Sequence, residues 1–85
     1  GLQPREVVLR VEYLLADSKL VLSADRVKEN GDGSFTVYMK SIVNTGLYQT
    51  LARYGDRVEI VKPEEVRKGY VEYLKRVLEV YEKEE

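Results

Sequence analysis

Apolar and polar residues alternate from Arg5 to Tyr13. Val7, Leu9, Val11 and Tyr13 share one face, and Glu6, Val8, Arg10 and Glu12 share the other. A period of two with one apolar face predicts a half-buried strand. Pro4 stands just ahead of it, where a missing ladder donor does little harm. From Leu14 to Leu22 the pattern weakens. Leu15, Lys19 and Leu22 fit one helical face, so a short helix of about two turns is expected, interrupted by Asp17 and Ser18. Asp25 to Asn30 and Ser34 to Ile42 then flank Asn30-Gly31-Asp32-Gly33. Asn-Gly and Asp-Gly tolerate positive φ, so this stretch predicts a β-hairpin, with Phe35, Val37 and Met39 alternating against Thr36, Tyr38 and Lys40.

The second half switches to helical spacing. Asn44 and Thr45 can cap a helix that carries Leu47, Tyr48, Leu51 and Tyr54, and Gly55 closes it as a left-handed residue. Arg57 to Val61 reads as a further short strand. Pro63 opens a last helix at the position Pro tolerates best, and Glu64 and Glu65 suit its positive N-terminal dipole. This helix is expected to run to about Lys83, roughly 30 Å at 1.5 Å per residue. Val66, Tyr70, Leu74, Val77, Leu78 and Tyr81 make one stripe, which Val71, Tyr73 and Val80 broaden around the circumference. A stripe that wide predicts cover on more than one side, by the sheet and by something else.

The order strand, helix, strand, strand, helix, strand, helix predicts an α+β fold. It would be a ferredoxin-like βαββαβ sandwich over about 5–62 with an additional long C-terminal helix over about 63–83. Right-handed crossovers place both short helices on one face of the sheet. The chain of 85 residues is read as a single domain, 1–85, small enough that its core must be efficient or shared with a neighbour. Its start at Gly1 rather than Met is read as the mark of a cleaved tag or an excised fragment.

Composition narrows the chemistry. With 34% charged residues and a net charge of −1, no global basic field draws the module onto DNA or an anionic membrane. There is no cysteine and no histidine, which removes thiolate metal sites, the commonest zinc ligand and the commonest general base. The expected location is the cytoplasm, with no membrane span and no cofactor.

The run Gly31-Asp32-Gly33, then Leu51-Ala52-Arg53-Tyr54-Gly55-Asp56-Arg57-Val58-Glu59-Ile60-Val61-Lys62-Pro63-Glu64-Glu65-Val66-Arg67, resembles the WCX domain. WCX is the C-terminal extension that follows the WYL domain in many bacterial transcriptional regulators. The opening Val7-Val8-Leu9-Arg10-Val11 resembles the family's first strand, so the likeness covers nearly the whole chain. One departure is clear. Many members carry Trp-His-x-x-Gln entering the second strand, where this chain has Val21-Leu22-Ser23-Ala24-Asp25. No role that depends on that polar cluster carries over.

The resemblance implies a regulator in three parts. A winged helix-turn-helix would read DNA, a WYL domain would sense a ligand (nucleic acid among those known for the family), and WCX would dimerise and transmit the signal. This chain would hold only the last part. Its partners would be a second copy or the WYL domain of the same regulator, and it would meet DNA only through the missing helix-turn-helix. Two readings of another class stand beside this one. A ferredoxin-like module can bind nucleic acid directly, and Ser34-Phe35-Thr36-Val37-Tyr38 faintly resembles an aromatic-bearing strand of the RNA-recognition motif. It can also sense a small ligand.

No catalytic constellation is expected. Ser18, Ser23, Ser34, Ser41 and Thr45 lack a base at diagnostic spacing. Glu64, Glu65, Glu72, Glu79, Glu82, Glu84 and Glu85 read as a solvated helix face, with Glu72–Arg76 and Glu79–Lys83 at the favourable i,i+4 spacing. Arg53 and Arg57 bracket the turn at Gly55, and Arg26 and Lys28 share a strand face; should Arg26 and Arg57 converge, they would grip an anion. Tyr70, Tyr73 and Tyr81, with Val77 and Val80, serve either as core or as interface anchors, and a protein–protein contact is expected for at least one tyrosine.

Overall fold

A computed structural model describes residues 3–83 of the chain; Glu84 and Glu85 lie outside the described residues. The architecture is α+β, a four-stranded antiparallel sheet with a long C-terminal helix. The strands are β1 (Arg5–Glu12), β2 (Arg26–Glu29), β3 (Ser34–Ser41) and β4 (Val58–Lys62). The helices are α1 (Lys19–Leu22), α2 (Thr45–Ala52) and α3 (Glu64–Glu82). Strand order is β2-β3-β1-β4, so the two long strands are central and the two short ones are edges.

Period-two alternation places the core. Val7, Leu9 and Val11 of β1, Phe35 and Val37 of β3, and Val58 and Ile60 of β4 all face one side, where Leu20, Leu47, Tyr48, Leu51 and Val66 close over them. Tyr13 departs from the expected stripe. The strand ends at Glu12, and Tyr13 begins a single 3₁₀ turn (Tyr13–Leu15), half-stacked on Phe35 at a centroid distance of 5.4 Å. Val8 departs the other way: it is buried although it lies on the polar face. Its register partners are Tyr38 and Lys62, both long enough to close over it.

The expected two-turn helix between Leu14 and Leu22 is replaced by that 3₁₀ turn and one α-helical turn. Ser18 adopts extended backbone (φ −74°, ψ 157°) and restarts the helix at Lys19. That restart turns Leu20 into the core and leaves Leu22 in solvent, 71% exposed. Asn44 caps α2 as expected, its side chain accepting from the Leu47 N–H at 3.0 Å. A cap of this kind stabilises by about 1 kcal/mol.

The β2–β3 turn shows how glycine and aspartate divide the work. Gly31 and Gly33 take φ of 82° and 89°, the left-handed region closed to most side chains. Between them, Asp32 Oδ1 accepts from the Ser34 hydroxyl at 2.6 Å and from its N–H at 3.1 Å. The Ser34 hydroxyl, above all, holds the Asp32 carboxyl below its usual range. A carboxyl lowered on folding adds stability above its unfolded value of about 3.9, and that stability is lost as pH falls through the lower folded value. Ser34→Ala is therefore expected to move the Asp32 titration upward, read from the carboxyl carbon shift by NMR. An unmoved midpoint would sink this account of the turn.

Candidate functional site

The last helix sets the character of this molecule's surface. Its first two turns are held. Val66 is 1% exposed within the core, Arg67 donates to the Glu59 carboxylate at 2.8 Å and to the Ile60 carbonyl at 2.9 Å, and Arg5 pairs with Glu65. The Arg5 guanidinium keeps the Glu65 carboxyl below its usual range. Tyr70 and Tyr73 then lean on Tyr48 of α2 with centroids 5.6 and 6.0 Å away. Burial raises the Tyr70 phenol pKa, with the neighbouring Tyr73 adding to the effect. The seam between α2 and α3 is close. A Cβ on Gly69 would stand 2.2 Å from the Tyr48 hydroxyl oxygen, and that hydroxyl faces the Val66 carbonyl at 3.4 Å.

Beyond Tyr73 the support ends. Leu74, Val77, Leu78, Val80 and Tyr81 are all exposed, Tyr81 to 81%. The wide apolar stripe is thus covered at Val66, Tyr70 and Tyr73 only, and Val71 on its flank is exposed with the residues beyond. Of the tyrosines singled out from the sequence, Tyr70 and Tyr73 are engaged within the chain, whereas Tyr81 stands free with Val77 and Val80. Leu74 and Leu78 belong to the same free face, at the helical spacing that marked the stripe. Glu72 pairs with Lys75 at 3.7 Å rather than with Arg76.

The arginines do not gather. Arg26, on the edge strand β2, lies over the Tyr38 ring with its guanidinium carbon 4.0 Å from the centroid. Arg57 precedes β4 at the opposite edge and pairs with Glu12 at 3.2 Å. Three strand spacings of about 4.8 Å separate those edges, so the two cannot grip one anion. The postulated convergence of Arg26 and Arg57 is absent because sequence proximity to a turn says nothing of strand order. Lys28 shares the face of Arg26, level with Thr36. Arg53 lies elsewhere, on the helical side, beside a cleft between α1 and α2. Phe35 is in the core while Tyr38 is on the opposite face beneath Arg26, so they offer no joint stacking platform.

The comparison with known families bears on this arrangement directly. The family model described as WCX domain matches residues 3–78. The chain belongs to the WCX family. The match takes in the whole sheet, both short helices and α3 through Leu78, so the held and the free parts of that helix both lie within the WCX module. Membership associates the module with WYL-type regulators in general. Comparison with curated proteins gave no match. Among the described residues, no helix is long and apolar enough to cross a membrane, and no group of three or more acidic side chains is placed to hold a metal ion.

Proposed function

We propose that this WCX module is a non-catalytic regulatory part of a WYL-type bacterial transcriptional regulator, working in the cytoplasm, and that it associates with a second copy through the free half of α3. The observation that carries the reading is the uncovered apolar face from Leu74 to Tyr81 on a helix otherwise fixed to the body. An isologous contact needs a self-complementary patch. Leu74, Val77, Leu78 and Tyr81 share one side of α3, so two copies laid together there would cover each other's apolar residues, while Glu72, Arg76 and Glu79 fall on the opposite side and stay in solvent.

The β2-β3-β1-β4 order, with β1 and β3 central, supports reading the body as ferredoxin-like. In the full regulator, ligand bound upstream would alter how paired modules dock and so move the DNA-reading heads. DNA would be met only through the separate helix-turn-helix.

Light scattering across a concentration series tests the association. The chain is expected to approach the dimer mass, and Leu78→Glu or Tyr81→Glu to return it to monomer, with a melting temperature equal to that of the parent diluted until it is itself monomeric. Tyr73→Glu is unsuitable, because Tyr73 also packs on Tyr48. A strict monomer at every concentration would remove the second copy as occupant of this face.

A further inference from the structure

On the helical side of the sheet, residues of α1 and the end of α2 line a cleft of about 320 Å³. That volume falls at the lower end of small-molecule sites, which run from about 300 to 1,000 Å³. Leu20 and Met39 give it an apolar floor, and Lys19, Thr50, Arg53 and Tyr54 form its rim. The local sequence explains the grouping. Thr50, Arg53 and Tyr54 stand three and four residues apart along the end of α2, which puts them on one side. The restart of the chain at Ser18 turns Lys19 to the facing wall.

Charge distinguishes this cleft. Lys19 and Arg53 both line it, no acidic residue does, and neither cation forms an ion pair among the described residues. Two uncompensated cations over a low-dielectric floor focus positive potential into the concavity. The Thr50 and Tyr54 hydroxyls add neutral donors at the rim.

We infer that this cleft binds a small molecule carrying a carboxylate or phosphate group on a short apolar body. The planar fork of Arg53 takes the anionic group through paired N–H donors, Lys19 contributes a mobile point charge, and Leu20 and Met39 receive the apolar part. The site stands on the cleft alone and is independent of what covers α3.

The chain contains a single methionine, so the Met39 methyl is a unique NMR reporter at the floor. Phenyl phosphate and hexanoate, titrated separately into the 85-residue chain at low salt, distinguish the two anionic groups. At least one is expected to shift the Met39 methyl saturably. Loss of a hydrogen bond to a charged group predicts affinity about tenfold weaker in Arg53→Gln, and Lys19→Met is expected to weaken it less. Lys68→Gln, on exposed α3, serves as the unchanged control, with melting temperatures confirming that all variants fold. The inference is overturned if neither probe moves Met39 at up to about 10 mM, or if Arg53→Gln responds like the parent. It is overturned equally if inorganic phosphate binds as tightly as phenyl phosphate while hexanoate is silent, since the floor would then have no part.

Discussion

Leu9→Ala is expected to lower the stability of the module by about 3 kcal/mol, within the roughly 2–5 kcal/mol range of buried leucine truncations. Leu9 is fully buried in the central strand, with Val37 opposite it on β3 and Ile60 opposite it on β4. Neither neighbouring strand can collapse into the space without breaking its own ladder, so a cavity remains. A domain of this size has about 4–13 kcal/mol in all, at roughly 0.05–0.15 kcal/mol per residue. The melting temperature should fall by roughly 10–25 °C, at about 4–8 °C per kcal/mol. Leu22→Ala makes the chemically identical change at a solvent-exposed position and should stay within about 0.5 kcal/mol. Paired thermal melts decide it. Similar losses at the two positions would contradict the restart of the helix at Ser18 that separates Leu20 from Leu22.

Gly69→Ala reverses the usual sign of a glycine replacement. In the interior of α3, alanine should gain about 1 kcal/mol over glycine from propensity alone. The new methyl would, however, stand 2.2 Å from the Tyr48 hydroxyl oxygen and 3.1 Å from its Cζ. Tyr48 is buried and flanked by the rings of Tyr70 and Tyr73, which leaves it little room to swing. Overpacking of this kind costs about 1–3 kcal/mol, so, set against that gain, a net loss of up to about 2 kcal/mol is expected. Tyr48→Phe removes the atom nearest the clash. The double variant should therefore recover most of the loss, a coupling that a double-mutant cycle measures by urea denaturation. Gly69→Ala proving more stable than the parent would mean that the α2–α3 seam yields easily.

These positions also mark where the sequence was readable. The hairpin was, because Gly31, Asp32 and Gly33 meet demands set within four residues of chain. The cap at Asn44, the left-handed Gly55 and the broad stripe of α3 are equally local. Tyr13 and the segment from Leu14 to Leu22 were misread because a weak periodicity yields to one residue, Ser18, taking extended backbone. Gly69 carries no sequence signal of its own kind, since its role is set by a ring arriving from another helix. Grouping Arg26 with Arg57 failed for the complementary reason: turns are local, whereas the order of strands is not. The cleft fell between the two cases. Thr50, Arg53 and Tyr54 have readable helical spacing, but Lys19 and Met39 join them only through the fold.

A rod clamped at one end moves most at the other. The clamp on α3 runs from Val66 to Tyr73, and about 9 residues, close to 14 Å, extend from Tyr73 to Glu82. Tilting the rod by about 10° about the end of that clamp would carry the far tip through about 2.4 Å, close to half of one helical pitch. Small rearrangements between the rings of Tyr48, Tyr70 and Tyr73 are thereby geared up into displacements large enough to change which residues meet at the tip.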